Sequence, residues 1–341
     1  MPNLSQMLAK RHSYRQVAVL ISGLAVLASA GCASGMAATK TGTGTGTGTV
    51  SLEKHQLTIA AVPTASSAGL YIAQQDGFFR QAGLNVKIVS IGSGADVTAN
   101  LLNGSIDVVN GAYAGFIEAQ AHDAGRFHVL ADGYAGAPQV DEIVVPAGSR
   151  ISTVQQLEHK TIAVNALASV ASLLVDSTLE SQDVPPSQVH LVAMPFPAMP
   201  GALKAHRVDA AYLVEPYLSQ TEAQIGGEEL IDVDQGATKD FPINGYVATQ
   251  SWCERYPQTA AAVAKALDRG QAVADTDRPA VEKALTRFTS INHRIAAIMS
   301  IGNFPTSVDT IHLQRVADLM FSSGQLKKHF DMAAMTGPLG G

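Results

Sequence analysis

The chain has 341 residues, a formal net charge of −6, and only 15 % charged side chains. Hydrophobic residues make up 46 %, enough for ordinary buried cores, so a disordered chain is a poor reading. No run of Lys and Arg forms a basic patch in the body of the chain, which speaks against nucleic acid as a partner, and the length allows two domains or one domain split into two lobes.

Lys10, Arg11 and Arg15 precede an uncharged, largely apolar run from Val17 to Ala30, which ends in Ser29-Ala30-Gly31-Cys32. A basic start, an apolar middle and a small-residue end is the layout of an export signal. A bilayer span wants ~20 apolar residues, and this run is shorter. Cys32 directly after Ala-Gly resembles a bacterial lipobox, although Ser29 stands where Leu is usual. Cys32 is therefore the expected lipidation site, and residues 1–32 the expected signal peptide. The tract Thr41-Gly42-Thr43-Gly44-Thr45-Gly46-Thr47-Gly48-Thr49 has nothing to bury. Residues 33–55 read as a flexible tether with a reach of ~25 Å, which makes sense between an anchor and a folded body.

The folded part opens with Leu57–Val62, a β-branched strand stopped by Pro63. Ser66 and Ser67 sit where a helix cap belongs, and that helix is expected to end at Asp76-Gly77. Val86–Ile91, Ile106–Asn110 and Val129–Ala131 are the next predicted strands, with helices between them. The pattern resumes with strands Thr161–Val164, Val189–Ala193 and Val208–Val214 and helices Ala168–Glu180 and Met199–Ala205. A further helix opens at Glu215-Pro216. Strands alternating with helices imply α/β sheets covered on both faces. From Ser251 onward, Pro257–Asp275, Pro279–Thr289, Asn292–Ile301 and His312–Ser323 all read as helices. We expect lobe 1 to comprise 56–145 and 247–341 and lobe 2 146–246, with strand crossings near Val144 and Gly245. A ligand would lie beyond the carboxyl ends of the strands, between lobes that hinge.

Six phrases, in order, carry a family likeness. They are Ala61-Val62-Pro63 before a Tyr71-Ile72-Ala73 helix, Asp76-Gly77-Phe78-Phe79 leading to Ala82-Gly83-Leu84-Asn85-Val86, and Leu101-Leu102-Asn103-Gly104-Ser105-Ile106-Asp107. Then come Gln156–Val164, Ala202-Leu203-Lys204-Ala205 and Val208–Pro216. From about Leu57 to Asp234 the chain resembles the SsuA-like solute-binding proteins of nitrate, sulfonate and taurine importers and their thiamine-precursor-binding relatives. The resemblance implies a periplasmic-binding-protein-like type II fold, two α/β lobes with a hinge and a ligand cleft. It also implies an extracytoplasmic role, delivering a small molecule to the permease and ATPase subunits of an ABC importer. The loops it assigns to the ligand contain Thr64, Ser66, Ser67, Ser93, Gly94, Tyr113, Asn165, Ser169, Glu215, Asn244 and Tyr246.

The chemistry of those loops is short hydroxyls and amides at helix starts, where backbone N–H groups favour anions. Helix capping accounts for Ser66, Ser67, Ser93 and Ser169 as well. Tyr113 and Tyr246 fit either a cleft wall or the core. Asn244 fits either an amide reader or a turn cap, and Glu215 either a ligand contact or the start of a helix. No Arg or Lys falls in these loops, so a strongly anionic ligand such as nitrate is disfavoured. The expected ligand is a small organic molecule, sulfonate- or taurine-like or a thiamine-precursor-like heterocycle. The resemblance brings one enzyme, a pyrimidine synthase that uses a Cys-rich iron site. The body of this chain keeps only Cys253, and its His residues show no metal-ligand spacing. A binding protein, not an enzyme, is expected, monomeric and without cofactor or metal. A pyrimidine-synthase-like or other enzyme on the same fold, or a ligand-sensing lipoprotein, is the alternative.

Overall fold

The computed structural model describes residues 51–91, 95–167 and 169–337. Cys32, the export signal, most of the tether, Ser93 and Gly94 lie outside them. Among the described residues no helix is long and apolar enough to cross a membrane.

Among the described residues, ten strands form two five-stranded sheets. β1 (Gln56–Ala61), β2 (Asn85–Ser90), β3 (Val108–Ala112) and β4 (Phe127–Ala135) belong to the first. β5 (Asp141–Val145), β6 (Thr161–Val164), β7 (His190–Ala193), β8 (Ala210–Val214) and β9 (Glu228–Asp232) form the second. β10 (Pro242–Thr249) returns to the first sheet, whose order is β2-β1-β3-β10-β4. The second sheet repeats the plan as β7-β6-β8-β5-β9. In each sheet four strands run the same way, and the strand that crosses between halves inserts antiparallel to them, β10 between β3 and β4 and β5 between β8 and β9. This is the expected α/β architecture.

The crossings themselves fall earlier than expected. Asp141–Val145 pairs on both sides within the second sheet, so the chain leaves the first half before Asp141 rather than at 145. The boundary expected at 246 falls inside β10, all of which pairs with β3 and β4. A crossing strand is apolar and continuous, so its composition does not mark where the chain changes sheets. β9 was not foreseen. Its sequence Glu-Glu-Leu-Ile-Asp has no apolar run, and charge is what an edge strand tolerates.

Apolar strands buried on both faces build the core: Ile59, Ala60 and Ala61 of β1 and Ile162, Ala163 and Val164 of β6 are all fully buried. Helix Pro257–Thr276 lies directly on helix Ala68–Gln75. The two backbones meet at Gly69 and Gly270, where a Cβ on Gly270 would collide with the Gly69 carbonyl. The helical C-terminal region thus returns to the first half. Its end, helix Thr310–Ser322, packs against helix Tyr113–Ala121 and β10.

The strand ends of both sheets point toward each other. Ala65 N donates to the Glu215 carbonyl at 3.0 Å, so the halves are bonded directly at one side of the gap between them.

Candidate functional site

Between the two sheets lies a cavity of about 620 Å³, its open mouth included. The first half contributes the loop after β1 (Thr64, Ala65, Ser66), the end of β3 (Asn110 to Ala112), Tyr134 of β4, and Ile243 and Asn244 at the start of β10. The second half contributes Asp141 and Tyr212, the β8 end at Val214 and Glu215, Asn165 after β6, Val170 and Ala171 at a helix start, and Phe196 after β7. The site therefore sits beyond the carboxyl ends of parallel strands, where side chains from different loops converge.

One wall is a small neutral network. Asn244 Nδ2 donates to Ser66 Oγ at 2.8 Å and to Asn110 Oδ1 at 3.1 Å. Ser66 Oγ also meets Thr64 Oγ1 at 2.9 Å. Asn110 Nδ2 and Asn244 Oδ1 are buried without a hydrogen-bond partner among the described residues. Unmet amide groups beside a cavity are unusual, because each carries a desolvation cost of ~1–3 kcal/mol.

The opposite wall is acidic. Glu215 is 1 % exposed. Its Oε1 accepts from Ser219 Oγ at 2.7 Å and from the Ser300 amide at 3.2 Å, and its Oε2 accepts from the Ser219 amide at 3.2 Å. Burial pushes its carboxyl up to about 7, against the pull of these donors. Asp141 is pushed up to about 7 as well, by burial first and then by the charges of Asp232, Asp234 and Glu215, while a hydrogen bond with the Tyr212 side chain opposes the rise. Burial and the Asp141 charge raise the hydroxyls of Tyr134 and Tyr212. Phe196 completes this wall and stacks on Tyr217, ring centroids 5.4 Å apart. No Lys, Arg or His lines the cavity among the described residues.

Of the residues expected at the site, Thr64, Ser66, Asn165, Glu215 and Asn244 line the cavity. Ser67 lies beneath it, donating to the Val62 carbonyl at 2.7 Å. Ser169 caps helix Val170–Ser181 and donates to the Ala166 carbonyl at 2.8 Å. Tyr113 and Tyr246 are core residues. Both are fully buried away from the cavity, the Tyr113 hydroxyl donating to Asp132 Oδ1 at 2.6 Å and the Tyr246 hydroxyl to Gln271 Oε1 at 3.3 Å. Ser93 and Gly94 are outside the described residues. Asn110, Tyr134, Asp141 and Tyr212 were missed. Asn110 closes an apolar strand just before Gly111, and Asp141 breaks an apolar segment. A polar residue at such a strand end was the available signal.

Two α/β halves with a shared cleft at their strand ends make this a periplasmic-binding-protein-like fold. The chain belongs to the NMT1-like family, whose model matches residues 51–288. Among solved structures, the alkanesulfonate-binding protein SsuA from Xanthomonas axonopodis pv. citri, bound to MOPS, superposes with a TM-score of 0.69 at 19 % identity, over 84 % of this chain and 99 % of that one. The periplasmic nitrate-binding protein NrtA from Synechocystis PCC 6803 gives a TM-score of 0.67 at 16 % identity, over 83 % and 85 %. The desulfurization enzyme DSZB gives 0.66 at 14 % identity, over 84 % and 97 %. No curated protein sequence matches the chain.

Proposed function

We propose that this protein is the extracytoplasmic solute-binding component of an ABC importer. It holds a small organic molecule in the cleft, reversibly and without altering it, and presents it to the permease. The observation that carries this reading is the cleft itself: both sheets contribute strand-end residues to one open cavity, lined by buried polar residues from each half in a mostly apolar surround. The neighbours named as binding proteins for a sulfonate and for nitrate support the solute-binding class. The ligand reading departs from them. A sulfonate or nitrate wants cationic or many N–H donors. This cleft offers Asp141, Glu215 and neutral amides instead, and the sequence at 92–94 and 168 adds no basic residue. A nitrogen-containing, non-anionic molecule fits better than a sulfonate.

The export signal and Cys32 support placement on the outer face of a membrane, anchored by lipid through the Thr/Gly tether. The protein acts there as a monomer. Native mass spectrometry of the purified protein, followed by extraction and rebinding of any small molecule it carries, tests this reading. One unchanged solute per chain is expected, with affinity at least tenfold weaker in Asn165→Ala, a substitution at the cleft rim. Conversion of the solute would overturn it.

A further inference from the structure

Asp141 and Glu215 face one cavity, are 4 % and 1 % exposed, and lack a cationic partner among the described residues. Buried acids are ordinarily paired. The groups that face them deepen the imbalance. Asp232 and Asp234 lie near Asp141, Glu222 lies near Glu215, and the two acids feel each other. Buried Glu142, which feels the charges of Asp232 and Glu215, adds a further acid, and the nearby hydroxyls of Tyr134 and Tyr212 are neutral at ordinary pH. At the same time Glu215 accepts from three neutral donors, Ser219 Oγ, Ser219 N and Ser300 N, so its ionised form already has hydrogen-bond partners when a cation displaces its proton. The wall is built for negative charge and holds nothing that balances it.

We propose that the cleft selects an organic cation, a molecule carrying an ammonium or amidinium group, and that Asp141 and Glu215 exchange protons for that charge when it arrives. This rests on the cleft being a solute site and specifies what it takes. The exchange balances. A molecule with one cationic group displaces one proton from the pair to solvent and takes the place of that proton's charge. No bond to carbon forms or breaks. Affinity then rises with pH while protons are displaced, by up to tenfold per pH unit for each proton released, and levels off once the carboxyls are ionised without ligand. Because the two acids interact, the protons leave in macroscopic steps that belong to the pair.

The probes are small fragments that enter a cavity of any shape: acetamidinium, its neutral isostere acetamide, nitrate and methanesulfonate, each at millimolar concentration with the full-length protein. Melting temperature and the carboxyl ¹³C shifts of Asp141 and Glu215 are read from pH 5 to pH 8.5. Acetamidinium is expected to raise the melting temperature by about 2 °C at pH 8 and by much less at pH 5. It should also move both carboxyl titrations to lower pH, while acetamide does neither. The D141N/E215Q double variant should lose the acetamidinium response, and its melting curve checks that it folds. If it does not fold, the wild-type comparison of the isosteres decides. Equal responses to acetamidinium and acetamide, or no response to acetamidinium, would overturn the proposal. Stabilisation by nitrate or methanesulfonate would also overturn it, while leaving the solute-binding reading intact.

Discussion

The Ser300 amide donates to Glu215 Oε1 at 3.2 Å, which joins the C-terminal segment to the acidic wall of the cleft. Two residues on, Gly302 N donates to the Tyr134 hydroxyl at 2.6 Å, and Asn303 pairs with Ala135 through both backbone groups at 3.0 Å. One short stretch of chain therefore holds the end of β4 in the first half and the end of β8 in the second. Ser300→Pro removes the donor to Glu215. It should cost about 1–3 kcal/mol in urea denaturation and raise the Glu215 carboxyl further, which a ¹³C titration would report. An unchanged Glu215 titration would show that the contact carries no weight.

Stability should depend on pH in a fixed direction. Burial and neighbouring acids raise Asp141 and Glu215 to about 7 and Glu142 to about 9. The unfolded chain releases these protons near pH 4. Between pH 4 and those values the native state holds more protons than the unfolded state, so stability falls as pH rises through that window. These groups add no further loss above about pH 9. Urea denaturation at pH 5, 7 and 9 should show a steady decline, and Glu142→Gln should flatten its upper part. A stability that rose from pH 5 to pH 9 would contradict the burial of these carboxyls.

Tyr113 serves the core. Tyr113→Phe leaves Asp132, itself 2 % exposed, without the hydroxyl that donates to it at 2.6 Å. A loss of about 1–3 kcal/mol in stability is expected with no change in solute affinity. Ser66→Ala, at the cavity wall, should do the reverse, weakening solute binding in a titration while moving stability by less.

Gly270→Ala tests how the C-terminal helices are seated. A methyl group there has no room against Gly69 and Ala73. Helix Pro257–Thr276 must shift off helix Ala68–Gln75, with an expected loss of about 1–3 kcal/mol by chemical denaturation.

Much of the fold was legible in the sequence because it is written in local signals. β1, β6 and β8 are short β-branched or alanine-rich runs bounded by Pro, Gly or Asn, and the helix expected at Pro257–Asp275 is observed at Pro257–Thr276. β9 escaped because an exposed edge needs no apolar pattern. The crossings expected near Val144 and Gly245 fall within β5 and β10, but their bounds were not legible, because those strands owe their place to partners distant in the chain. The site was half legible for the same reason. Thr64, Ser66, Asn165 and Glu215 sit in loops that follow recognisable strands, and Asn244 lies near the start of β10. Asn110, Tyr134, Asp141 and Tyr212 reach the cleft from within strands, and only the pairing of the sheets decides which way such a side chain faces. Tyr113 and Tyr246 sit beside residues that line the cavity, but tertiary packing turns them inward.

The most direct measurement is a crystal structure of the protein with the solute it retains through purification. Density should lie between Asn110 and Asn165, touch residues of both sheets, and place a positively charged group beside Glu215 or Asp141. A solute bound away from the strand ends, or one found chemically changed in the crystal, would contradict the assignment of this cleft as a site of reversible capture.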